Sequence, residues 1–270
     1  MSIDASDRRR FLTRREFLTL LPLALLAVPH RRAAAAESRT AQYTVEVGIL
    51  YDALTFHLAG TIHETVDRVA GRYEVKVGGE GSGIVHRVEA TGLRRGGRWA
   101  PARAVSYFNV KGRESRSEVR YDYDRRLVEY HFRGETFLLR RLRVADDLVA
   151  LPEGMHVDDL FSATLNYADG LWPAQADGSH RTTVVRRRRK ENEGPDEVQE
   201  HYGAELVPFA FRVAVDPESQ KPTALVDLSS FSSWATRNRP ARIVFGADRR
   251  PEIVTSSLML GTSLAIRIQA

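Results

Sequence analysis

The residues that could do chemistry come first. His63-Glu64 opens like the helical zinc-protease motif, in which two histidines one turn apart hold the metal and the glutamate activates water. Asp67 stands where the second histidine belongs, and His57, His86, His131, His156, His180 and His201 are scattered, so no metal or other cofactor is expected. Ser82 lacks the Gly-x-Ser-x-Gly frame of an activated nucleophile, and Ser229 to Ser233 reads as a polar loop around Phe231 and Trp234. No catalytic residue is assigned. Asp146-Asp147 and Asp158-Asp159 are sequence neighbours whose side chains diverge, and Asp158 reads as a helix cap rather than an acid catalyst. Gly78 to Gly83 has neither the P-loop ending nor dinucleotide-binding spacing, and reads as a flexible turn. Arg186 to Lys190 invites a nucleic-acid reading, or another anionic partner such as a lipid headgroup or polysaccharide. The following Glu191, Glu193, Asp196, Glu197 and Glu200 favour self-neutralisation across a hairpin instead.

An export address occupies the N-terminus. Thr13-Arg14-Arg15-Glu16-Phe17-Leu18 precedes an apolar run from Leu18 to Val28, and Ala34 with Ala36 supplies a small-residue cleavage site. Residues 1–36 read as a cleavable twin-arginine signal, the general secretory route being the alternative. The run is far short of the roughly 20 apolar residues that span a bilayer, and Pro22 interrupts it, so no permanent anchor is expected. The expected location is the periplasm, and the export machinery is an expected partner. Of the net charge of +5, +4 belongs to the first 36 residues, so the remainder is nearly neutral and nucleic acid is disfavoured. Cysteine is absent, which removes both disulfide staples and a lipid-attachment site.

What must position any site is a β-rich chain. Tyr43, Val45, Val47 and Ile49 alternate with polar residues, as do Tyr73, Val75 and Val77. Ser115 to Arg133 reads as a hairpin turning at Asp124-Arg125-Arg126, with Tyr121, Tyr123, Tyr130 and Phe132 on its apolar face. Further strands are expected at 137–144, 182–190, 198–202, 209–215, 223–228, 242–245 and 264–268. One helix is expected after Asp158, with Leu160, Phe161, Thr164, Leu165 and Ala168 on one side, ending near Asp169-Gly170. The fold class is therefore mainly β, a single curved antiparallel sheet or half-open barrel with one short helix, in one domain over 37–270.

The segment Gly154 to Tyr167, with Asp158, Ser162 and Ala163, resembles the Asp-x-x-Ser-Ala helix of domain-of-unknown-function family 3108 (DUF3108). Tyr43-x-Val45, Arg120-Tyr121-Asp122, Pro251 to Ile253 and Gly261 to Ile268 occur in the matching order. The resemblance implies an exported envelope protein with a curved sheet like that of lipoprotein carriers, and it implies no catalytic residues. Departures fall at 178–202 and 50–60. The functional expectation is a non-catalytic module for an apolar or amphipathic ligand, lined by Tyr121, Tyr123, Tyr130, Phe132, Phe161 and Leu165. A structural envelope protein with a filled core is the alternative, and an envelope hydrolase the weaker one.

Overall fold

Along Glu37–Ile49 (β1) every second side chain faces inward: Ala41 and Tyr43 are buried, while Thr40, Gln42, Thr44 and Glu46 face water. This period of two commits the segment to a sheet with one solvated face. The computed structural model describes residues 36–49, 51–136, 139–190, 193–194, 196–232, 234–235 and 238–270. Arg14, Arg15, the apolar run and Ala34 lie outside the described residues, and Ala36 is exposed just ahead of β1.

Seven strands follow β1 in an antiparallel meander: Leu54–Asp67 (β2), Arg72–Gly81 (β3), Ile84–Arg95 (β4), Arg98–Val110 (β5), Arg113–Asp122 (β6), Leu127–Glu135 (β7) and Leu142–Ala150 (β8). Val157–Asp158 (β9) and the helix Leu160–Ala168 (α1) come next. The chain then returns through Ser179–Arg187 (β10), Ala204–Val215 (β11), Pro222–Val226 (β12), Ala241–Phe245 (β13), Pro251–Leu258 (β14) and Thr262–Gln269 (β15). Because β15 pairs with β1, the two meanders fuse into one 15-stranded sheet that runs from β8 through β1 and β15 to β9. β8, at one end of the sheet, is bridged to the other arm between Ala145 and Tyr202, just ahead of β11. The expected class is the one observed: mainly β, one long curved open sheet and, among the described residues, one α-helix.

α1 ties the two arms of the sheet together. Leu165 packs on Val66, Tyr73, Val75 and Trp99 from β2, β3 and β5, while Tyr167 packs with Trp172, Phe211, Val226 and Phe245 on the other arm. The helix stops at Gly170, whose φ of 69° lets the Leu171 N–H reach back to the Asn166 carbonyl at 2.8 Å.

Several sequence expectations need correction. The run from Gly78 to Gly81 is strand, and the turn is only Ser82-Gly83, both at positive φ. The glycines serve a packing purpose: Tyr43, Gly60, Gly79 and His86 stand in register across four strands. A Cβ on Gly79 would lie 2.3 Å from the Tyr43 hydroxyl, so the tyrosine ring needs the bare backbone to cross toward His86. The strand expected at 137–144 is β8, which starts at Leu142; Phe137 and Leu138 lie outside the described residues. Residues 198–202 form no strand beyond the Tyr202 bridge, because β10 takes β11 as its partner instead.

Candidate functional site

In an antiparallel meander alternate turns leave at the same end, so this sheet has two unlike ends. At one end α1 fills the concavity. At the other, inward-facing side chains leave a cavity of about 350 Å³, within the usual range for small-molecule sites. Its wall is apolar: Val47 and Ile49 from β1, Phe56 from β2, Ile84 from β4, and Phe108 and Val110 from β5. Trp234 and Leu258 face them from the opposite arm. Tyr43, Leu58 and Ile84 pack with Val45 and Val77 to close its inner side.

Polar groups, Thr136 among them, border this wall on one side. Arg113, Ser115, Glu135, Arg143 and Thr262 contribute to the lining. The Lys111 ammonium stands 4.9 Å from the centre of the Phe56 ring, a cation–π approach at the mouth. Arg143 is largely buried, pairs with Glu193 at 3.6 Å and donates from Nε to the Glu197 carbonyl at 2.9 Å. Burial pushes the Glu193 carboxyl up, but the hydrogen bond and charge of Arg187, joined by Arg143, outweigh it and hold the group below the ordinary carboxylate range. The basic run is thus largely absorbed within the fold: Arg187 meets Glu193 at 2.6 Å and Arg186 meets Glu205 at 2.7 Å. Glu193 was among the acids expected to do this; Glu205, on β11, was not.

A smaller cavity, about 200 Å³, lies beside α1, between Leu160, Phe161 and Thr164 and the inward residues Ala41, Ile62 and Ile266. Glu64 faces into it and holds Arg250 at 2.5 Å. This also disposes of the zinc-like motif: His63 and Glu64 lie on β2, where neighbours point to opposite faces and no helical ligand pair can form.

The ligand-lining residues chosen from sequence are dispersed. Phe161 borders the smaller cavity, and Leu165 is buried in the helix contact. Tyr121, with Tyr123 beside it, packs against Val128, Leu151 and Val157; Tyr130, with Phe132 beside it, packs against Ala145, Tyr202 and Ala204. None of these four borders either cavity described above. Val47 and Ile49 carried a visible strand signal. Phe56 and Ile84 were missed because the inward positions of β2 and β4 include Gly60, Glu64, His86 and Ala90, which break apolar alternation.

The closed end is organised by Asp158, whose side chain is wholly buried. Its Oδ2 accepts from Arg98 at 2.9 Å and Thr182 at 2.6 Å. Its Oδ1 accepts from Ser162 and Asn166, both at 2.9 Å, with His156 Nε2 3.0 Å away. Asn166 in turn clasps the Trp99 backbone, accepting its N–H at 2.7 Å and donating to its carbonyl at 2.8 Å. Asp158 is therefore a hub, and the expectation that it caps the helix is wrong by one residue. The N-cap is Asp159, extended at φ −102°, whose Oδ1 accepts from the Ser162 N–H at 2.7 Å while Ser162 Oγ accepts from the Asp159 N–H.

Asp159 Oδ2 and the Tyr73 and Tyr123 hydroxyls are shut away from water without a hydrogen-bond partner. Burial raises the Asp159 carboxyl to about 6, the charge of Asp158 adding to the rise and the Ser162 hydrogen bonds opposing it. A carboxyl raised in the folded state binds its proton more tightly there than when unfolded. Its contribution to stability is complete at low pH and is lost as pH climbs from about 4 to about 6. Asp159→Asn keeps the cap, since asparagine caps as well as aspartate, and removes the buried charge. We expect thermal melts of this variant to lose that pH slope and to gain on the order of 2 kcal/mol at neutral pH; an unchanged slope would contradict the assignment.

No family model matches the chain, and no curated protein matches it. A crystal structure is similar: a beta-barrel-like protein of domain of unknown function DUF1849 from Brucella abortus. It shares 9% identity over 85% of this chain and 97% of that chain, with a TM-score of 0.38. Because no family model matches, the resemblance to family 3108 is overturned. The residues that carried it, Asp158 and Ser162 above all, are explained by the hub and the capping box, a local solution any helix entering a β-sheet core can adopt.

Proposed function

We propose that this chain is an exported, non-catalytic binding module of the cell envelope, which holds an apolar or amphipathic, lipid-like ligand in the open end of its curved sheet. The observation that carries the reading is the 350 Å³ cavity walled by Val47, Ile49, Phe56, Ile84, Phe108 and Val110. Such a wall gains free energy by taking up apolar surface, roughly 25 cal/mol per Å² removed from water, and discriminates little among chains of similar width. Export by the twin-arginine route, suggested by Arg14 and Arg15 ahead of the apolar run, belongs to the same proposal. The filled clusters around Tyr121 and Tyr130 favour a second reading, a structural envelope protein with a packed core.

Native mass spectrometry of the protein purified gently from a periplasmic extract tests both. A discrete added mass in the lipid range, lost on denaturation, supports the binding module. Absence from that extract contradicts export, and an apo mass that persists after incubation with fatty acid favours the packed-core alternative.

A further inference from the structure

The apolar faces that meet beside α1 are incompletely packed. Ile62, Phe161, Val254 and Ile266 all border the 200 Å³ cavity at that helix, and each is only partly buried. Ala41 and Val75, which also line it, are shut away from water. Tyr43 and Leu58 pack with Ile62 and Ile268, which border this cavity, and with Phe56, Ile84 and Val110, which border the larger one. Their cluster is the partition between the two.

One polar device interrupts this wall. Glu64 and Arg250 line the cavity as an ion pair whose side chains are only 12% and 16% exposed. Arg250 Nη1 donates to Glu64 Oε2 at 2.5 Å, and among the described residues nothing donates to Glu64 Oε1. Arg39 stands opposite Glu64 in the β1–β2 register but pairs with Asp248 at 2.7 Å, and Asp248 also lies 3.9 Å from Arg250 Nε. Two cations and two anions thus balance here. A carboxylate oxygen left without a donor on a largely buried side chain is costly, and a hydrogen-bond donor in the cavity would relieve that cost.

Volume and charge together define the occupant. An apolar cavity of about 150 Å³ takes up benzene, so this one suits a single ring with one substituent. A carboxylate would be set against Glu64 and an ammonium against Arg250, where water screens little. A hydroxyl can donate to Glu64 Oε1 and accept from the Arg250 guanidinium at once.

We propose that this cavity is a second binding site, for a small neutral aromatic molecule carrying a hydroxyl, of the phenol class. The ring occupies the space between Phe161 of α1 and Ile62 and Ile266 of the sheet, and the hydroxyl is held by Glu64 and Arg250. The site stands whether or not the mouth-end cavity takes a lipid.

Titration of the full chain with phenol, followed through the isoleucine methyl signals in NMR spectra, reads both affinity and place. Saturable shifts are expected at Ile62 and Ile266, and not at Ile49 or Ile84 of the mouth-end wall. Benzene should bind about ten-fold more weakly for want of the hydroxyl, and benzoate and benzylamine at least about ten-fold more weakly because of their charge. Glu64→Gln should narrow the preference for phenol over benzoate about ten-fold, a gain for benzoate that loss of folding would not produce. Ala41→Leu, which fills the cavity and leaves the ion pair intact, should abolish the shifts. Val110→Trp, which obstructs the mouth-end cavity, should leave them unchanged, so this site and the binding-module reading fail separately. Shifts confined to Ile49 and Ile84 would move phenol to the mouth end and overturn the proposal. Shifts at no isoleucine overturn it too, as do benzoate or benzylamine binding as tightly as phenol, or a folded Ala41→Leu chain that binds like wild type.

Discussion

Asp158→Ala should be the most damaging single substitution in the molecule, with a loss of about 4 kcal/mol or more. The carboxylate is wholly buried and is shared by Arg98, Thr182, Ser162 and Asn166. Alanine leaves the half-buried Arg98 guanidinium without its ion-pair partner and three neutral donors without an acceptor, and such unmet groups cost more than their hydrogen bonds contribute when made. The damage spreads because Asn166 is oriented by Asp158 and itself holds the Trp99 backbone of β5. Domains of ordinary stability have about 5–15 kcal/mol in hand, so the variant should be marginal or insoluble. Urea denaturation measures it; a midpoint close to wild type, at unchanged slope, would remove Asp158 from its position as hub. Asp158→Asn keeps the volume and part of the bonding and should fall between the two.

The second large effect is on binding. Val110→Trp places an indole in the mouth-end cavity, where Val110 shares the wall with Phe108 and Ile84. Val110 is only partly buried and stands at the end of β5, so the larger ring can be accommodated toward the mouth without overpacking the interior. Affinity for a fluorescent fatty acid should drop at least ten-fold, while circular dichroism and the urea midpoint stay near wild type. The comparison variant is Tyr130→Ala, whose ring lies in the filled cluster with Ala145 and Tyr202. It should destabilise the fold by about 3 kcal/mol and leave probe affinity per folded molecule unchanged. The opposite pattern, probe lost in Tyr130→Ala and retained in Val110→Trp, would move the site to the tyrosine cluster that the sequence first suggests.

These two experiments divide between the closed and open ends of one sheet, and that division was only half legible in the sequence. Local chemistry was legible. The alternation from Tyr43 to Ile49, the hairpin turning at Asp124-Arg125-Arg126, and the helix ending at Gly170 are each decided within a few residues, by side-chain period and turn stereochemistry. They were enough to specify a mainly β chain with a single short helix. The failure of the His63-Glu64 motif was likewise written in the residue at 67.

Tertiary structure alone decided which apolar face encloses space and which is filled. Tyr121, Tyr130, Val47 and Val110 are all inward residues on amphipathic strands, and nothing in their own segments separates core from cavity wall. The difference arises from what lies opposite: the Tyr121 and Tyr130 arm meets β9, Tyr202 and Ala204, whereas at the mouth Trp234 and Leu258 face the wall of β1 and β5 across open space. The role of Asp158 depended in the same way on Arg98 and Thr182, residues distant in sequence that converge only when β5 and β10 flank the helix entry. Period and propensity act over one element, whereas cavities and buried charge networks are properties of the gaps between elements, and these exist only once β15 has paired with β1.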